Sequence, residues 1–244
     1  ILGISAGFHD CGVSVIRDGE ILFAGHAERY SKQKHDEHIN MDIMHDALEH
    51  GMPDVVAYYE RPWLKKLRQL RAGQYDQALD FSDITVKQYL TKHLPTRFDY
   101  GVRFRTFNHH LSHAAAGFQT SPYNRATVVV IDAIGEFDTI TIWDAWYDKE
   151  GKAQYKKIYS QSYPNSIGLF YSAMTKRVGL QPLDEEYILM GMAAYGNPIY
   201  SDEMFIEFIH DYNKLEFKKN LHIGIDKNFL PNASDMDIAS SAQL

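Results

Sequence analysis

Val128-Val129-Val130-Ile131-Asp132-Ala133-Ile134-Gly135-Glu136 reads as a buried strand that runs into an acidic, glycine-bearing turn. Working outward, the strand extends from Ala126 to Ala133, with the turn over Ile134 to Asp138 and Asp132 placed where strand breaks into turn. Thr139 to Tyr147 and Gln154 to Ser160 follow as two more strands, joined at Asp148-Lys149-Glu150-Gly151. The start of the chain has the same plan. Ile1 to Gly7 is an apolar run ending in Ser-Ala-Gly, Gly12 to Ile16 resumes β-branched alternation, and Asp18-Gly19 turns into Glu20 to Ala24.

Two such meanders, each leading into helices, predict an α/β protein of duplicated lobes, of the actin, Hsp70 and sugar-kinase (RNase H-like) type. In that architecture paired hairpin turns grip a nucleotide's phosphates from both sides. The first lobe is expected over residues 1–124, with a helical insert, and the second over 125–244, truncated at its C-terminus. Between the meanders, Met41 to His50 reads as a helix closed by Gly51, and Asp54 to Tyr59 as a buried strand. Trp63 to Leu70 and Ile84 to Leu94 read as amphipathic helices whose leucines, with Trp63, are core residues. Arg103 to Phe107 reads as a strand. After the second meander, Ser166 to Val178 is a helix stopped by Gly179, with Phe170, Tyr171 and Met174 on its apolar face. Asp184 to Gly196 has acids at its start and glycines that permit close approach to a neighbour or a ligand. Ser201 to Tyr212 reads as a helix, Leu215 to Lys218 as a short strand, and Asn228 to Ser234 as a linker into a last helix.

The chain has 244 residues, 45% of them hydrophobic, enough for a large core. Its net charge of −7 and lack of a long Lys/Arg run argue against a nucleic-acid partner and for a small molecule. The lone Cys11 cannot form an internal disulfide, no apolar run reaches a membrane span, and no signal-peptide pattern opens the chain. These features predict a cytoplasmic protein without membrane association; a homodimer is an assembly they leave open. The start at Ile1 and the helix-like ending point to a segment of a longer chain.

Asn108-His109-His110-Leu111-Ser112-His113 leads into a helix expected to reach about Phe118. His109 and His113, at i and i+4, share one helix face, and with Asp132 they make a two-imidazole, one-carboxylate set suited to Fe(II), Zn(II) or Mn(II). The competing reading is a first helical turn whose histidines cap or face solvent. His110 points to another face. The connection Ala6-Gly7-Phe8-His9-Asp10-Cys11-Gly12 offers backbone N–H groups to phosphate oxygens, or is simply a turn. Glu28 to Asp36 is a polar loop with three cations, facing an anion or solvent.

Seven motifs in order resemble the O-carbamoyltransferases of the nodulation-protein and antibiotic-tailoring family. They are Ile4-Ser5-Ala6-Gly7-Phe8-His9-Asp10-Cys11-Gly12; Glu28-Arg29-Tyr30-Ser31 with Lys34-His35-Asp36; Tyr58-Tyr59-Glu60-Arg61-Pro62; Asn108 to Ala115; Asp132 with Gly135-Glu136; Ile167-Gly168-Leu169-Phe170-Tyr171; and Leu189 to Gly196. The resemblance implies an ATP-dependent enzyme, related to the threonylcarbamoyl-adenosine enzymes, that makes a carbamoyl-adenylate from carbamoyl phosphate and ATP. The carbamoyl group then passes to a hydroxyl of a sugar or other natural product. The family's metal ligands fall on His109, His113 and Asp132, with Fe(II) or another divalent metal and a further carboxylate beyond Leu244. Gly7, His9 and Lys34 map to positions facing the nucleotide or carbamoyl group, as do Asp132, Gly135 and Glu136 in the second turn. His9 or His110 is the candidate general base toward the acceptor hydroxyl.

The chain departs from the family at Ala133, where Gly is more usual, and at Glu37-His38-Ile39-Asn40 after the Lys34-His35-Asp36 motif. The segment alone is expected to be inactive. Two other functions stay open at this level: a nucleotide-binding module without chemistry, and a His/His/Asp metal hydrolase.

Overall fold

The computed structural model describes residues 1–7, 10–79 and 101–243, with Lys87, Leu90 and Lys92 between them. It is a mixed α/β protein in which residues 1–112 and 113–244 each form a compact unit.

In the first unit, β1 (Leu2–Ser5), β2 (Gly12–Arg17) and β3 (Glu20–His26) form the expected antiparallel meander. Asp18 and Gly19 make the tight β2–β3 turn with φ of 54° and 86°, the pair of positive values that matches hairpin twist. β4 (Val55–Tyr58) lies parallel to β1, and β5 (Arg103–Thr106) parallel to β4, giving the order β3-β2-β1-β4-β5. A parallel neighbour requires a crossover. It is made by α1 (Glu28–Ser31) and α2 (Met41–Glu49), so the first turn of what reads as a polar loop is helical. Asn40 caps α2 by accepting the Asp42 N–H at 2.8 Å. Alternate residues Leu2 and Ile4, with Val13, Ile43, Met44 and Val56, fill the core.

α3 (Pro62–Arg71) forms where expected, but its apolar residues are not core: Trp63, Leu67 and Leu70 are exposed, and Gln69 is buried. Amphipathic spacing gives a helix a face; only the neighbouring elements decide whether that face is covered. The described turn after it, α4 (Tyr75–Leu79), precedes the predicted helix at 84–94, which lies outside the described residues.

α5 (His109–Gln119) is one continuous helix. In the second unit, β6 (Arg125–Gly135), β7 (Asp138–Tyr147) and β8 (Ala153–Ser162) form the second antiparallel meander. β6 runs two residues beyond the expected Ala133, and the reversal is correspondingly tight, with Glu136 at φ 60°. α6 (Ile167–Arg177) is capped by the Ser166 hydroxyl, which accepts the Leu169 N–H at 3.0 Å. Phe170 and Met174 are buried with Leu189 of α7 (Glu186–Ala193), Met204 and Phe208 of α8 (Ser201–Phe208), and Ile238 of α9 (Asp235–Ser241). The helix predicted to reach Tyr212 ends at Phe208. Ile209–Asp211 leaves it as β9 and pairs with β10 (Glu216–Phe217), because ladder bonds to Phe217 displace the helical ones. Of the two glycines in the Asp184-to-Gly196 stretch, Gly191 has open space around it and Gly196 meets a neighbour: a Cβ there would strike the backbone of Met236. Among the described residues, no helix is long and apolar enough to cross a membrane.

Candidate functional site

Local sequence starts α5. The Asn108 side chain accepts the Leu111 N–H at 2.9 Å, making Asn108 the N-cap and His109 the first helical residue. The Ser112 hydroxyl donates to the Tyr59 carbonyl at 2.8 Å, so the start of α5 is tied to the end of β4. His109 then meets two residues of that strand end. Its ring packs edge-on against Tyr59 with centroids 5.2 Å apart, and its Nδ1 lies 3.5 Å from Glu60 Oε2.

Glu60 is buried, and its other oxygen accepts from Lys65 Nζ at 3.0 Å. Burial opposes ionisation of Glu60, but His109 and Lys65 outweigh it and hold the carboxyl below the usual carboxylate range. An ionised carboxylate 3.5 Å from Nδ1 favours the tautomer with the proton on that nitrogen, the form in which Nε2 is the ligating atom. His113 follows one turn later, exposed. His110 is fully buried beside His109, with ring centroids 6.1 Å apart.

Asp132 sits inside β6 rather than where the strand breaks into a turn. Ile131 pairs with Ile140 and Gly135 with Asp138, so three residues of β6 oppose Thr139 alone. This bulge re-aims the Asp132 side chain, whose Oδ1 accepts the Ala133 N–H at 2.7 Å. The start of α6 holds the bulge in place. Ser166 Oγ donates to the Ala133 carbonyl at 2.8 Å, and Gly168 packs so closely that a Cβ on it would lie 2.7 Å from Ala133 Cα. As a result, one donor atom from each of His109, His113 and Asp132 lies within 4.8 Å of the others. Two imidazoles and a carboxylate at that spacing fit a divalent metal by donor chemistry.

Gly7 has φ 83°, and its N–H donates to the Glu37 carbonyl at 2.9 Å. Cys11 N–H likewise donates to Asp36 at 2.7 Å, so these two amides of the opening turn hold the 32–40 loop rather than being directed to a ligand. Lys34 is exposed on that loop. His9 lies outside the described residues. Gly135 and Glu136 are buried at the β6–β7 reversal. Glu60 and Ser166 had no assigned role in the sequence, although Glu60 stands in the Tyr58-to-Pro62 motif. An acid directly after a buried strand was the available signal.

Residues 64–237 match the family described as carbamoyltransferase N-terminus, a span that includes α5 and β6. The chain belongs to the carbamoyltransferase N-terminal family. Among relatives, an uncharacterized protein of Synechocystis is 30% identical over 236 residues, covering 83% of this chain and 35% of its own length. Nodulation protein NolNO of Sinorhizobium fredii is 26% identical over 208 residues, covering 82% of this chain and 30% of its own. Nodulation protein NolO of Bradyrhizobium diazoefficiens is 32% identical over 101 residues, 41% of this chain and 17% of that protein. The chain thus spans about a third of the length of the first two. His109, His113 and Asp132 fall inside the family segment, whereas Gly7 and Lys34 precede it.

Proposed function

We propose that this chain is the N-terminal part of an ATP-dependent O-carbamoyltransferase with a metal held by His109, His113 and Asp132. The protein uses carbamoyl phosphate and ATP to form a carbamoyl-adenylate, releasing pyrophosphate and phosphate, and transfers the carbamoyl group to a hydroxyl of a small-molecule acceptor with AMP as the leaving group. The observation that carries this is the convergence of those three donors in a member of the carbamoyltransferase family. The strand order β3-β2-β1-β4-β5, followed by a second antiparallel meander, supports duplicated actin/Hsp70-type lobes. A divalent ion such as Fe(II), when bound, supplies Lewis acidity toward a phosphate or carbonyl oxygen. The chain's own residues do the positioning. Glu60 orients His109, the β6 bulge aims Asp132, and Lys34 offers a point charge to a phosphate. His110, or His9 in the opening turn, takes the proton of the acceptor hydroxyl. The lone buried Cys11 supports placing the protein in the reducing cytoplasm.

The test is to incubate the whole protein with ATP, carbamoyl phosphate and Fe(II) and measure pyrophosphate. His113→Ala should abolish its release. No pyrophosphate with any acceptor or divalent metal would sink the proposal, and ATP binding unchanged by His113→Ala and without turnover would favour a nucleotide-binding module.

A further inference from the structure

A second set of metal-binding side chains lies entirely within the first unit. One donor atom from each of Asp10, His26 and Glu28 lies within 4.8 Å of the others. His26 ends β3, Glu28 opens α1 and Asp10 belongs to the β1–β2 connection. Backbone bonds gather them: Ala27 N–H donates to the Cys11 carbonyl at 2.7 Å, and Cys11 N–H to the Asp36 carbonyl at 2.7 Å. Asp10 and His35 hold φ values of 53° and 57°, a region that residues other than glycine rarely adopt. The result is that His35 Nδ1 lies 3.2 Å from Asp10 Oδ1.

His26 stands between the two carboxylates, with Nε2 3.9 Å from Asp10 Oδ1 and Nδ1 3.7 Å from Glu28 Oε1. Both separations exceed a hydrogen bond. A single ion takes one of these two ring nitrogens, with a carboxylate oxygen of each acid within 4.8 Å of it; small side-chain rotations bring such donors to the roughly 3.3–3.6 Å that separates ligands about 2.0–2.2 Å from a tetrahedral cation. The three side chains are 25% to 38% exposed, open to ions yet held by neighbours. Arg29 also reaches Glu28 at 3.7 Å, but it is 79% exposed and a weak competitor in water.

We infer that Asp10, His26 and Glu28 bind a divalent cation of the borderline class selected by imidazole with carboxylates, such as Zn(II). His35 orients the Asp10 carboxylate from outside the ligand set. The site shares no residue with the His109 set, and the inference does not rest on carbamoyl transfer.

The whole protein, stripped by chelation and titrated with Zn(II) alone, should bind one ion in a His109→Ala/His113→Ala background. Adding His26→Ala or Asp10→Asn should remove that ion, and His35→Ala should weaken it about 10- to 100-fold. Circular dichroism checks folding. If the His109→Ala/His113→Ala protein does not fold, Asp10→Asn alone should lower the wild-type stoichiometry by one. An ion retained at unchanged affinity after His26→Ala, unchanged stoichiometry in Asp10→Asn, or a folded His109→Ala/His113→Ala protein that binds no ion would each overturn the inference. Loss of pyrophosphate release with this ion still bound would count against the carbamoyltransferase proposal alone.

Discussion

Glu60 Oε2 lies 3.5 Å from His109 Nδ1 while Glu60 Oε1 accepts from Lys65 at 3.0 Å. One buried carboxylate therefore joins a cation to a proposed metal ligand. Glu60→Gln keeps the shape and removes the charge, and metal affinity of the whole protein should fall about 10- to 100-fold. Metal content after dialysis against a weak chelator measures this; unchanged retention would reduce the contact to packing.

Gly168 and Gly196 both admit a close backbone, but only Gly168 borders Asp132. In Gly168→Ala the added carbon meets Ala133 Cα at 2.7 Å and the backbone must shift. A loss of about 1–3 kcal/mol is expected, together with weaker metal binding. Gly196→Ala, against Met236, should lower the melting temperature while leaving metal affinity intact. Thermal melts paired with metal titration separate the two, and a metal defect in Gly196→Ala would contradict the local account.

Burial, with help from Asp36, pushes the Cys11 thiol up to about 12 from 9.0. The folded chain keeps this proton where the unfolded chain loses it. The contribution is therefore complete below about pH 9 and declines as pH rises from there toward 12. Iodoacetamide at pH 8.5, roughly an ordinary thiol's midpoint, should leave native protein unmodified and label it in denaturant. Rapid labelling of the native protein would refute the burial argument.

α3 offers a contrast between pattern and packing. Trp63 is 67% exposed, so Trp63→Ala should change stability by no more than about 0.5 kcal/mol. Met174 of α6 is fully buried, and Met174→Ala should cost about 2–5 kcal/mol. Urea unfolding of the two variants gives both values; a large loss at Trp63 would restore the reading of its face as core.

Local chemistry was legible because it acts over a few residues. Two meanders followed from alternation and from Asp18-Gly19 and Asp148-to-Gly151 turns, and the His109/His113 pair followed from helical spacing. So did the Gly179 stop of α6, at φ 84°. The tertiary structure decided what no local rule contains. The register of β6 on β7 turned Asp132 into a bulge residue, the parallel placement of β4 delivered Glu60 to His109, and competing ladder bonds cut α8 short at Phe208. It also decided which apolar face of a helix is covered and which histidine meets which acid, because burial and convergence depend on contacts between segments distant in the chain.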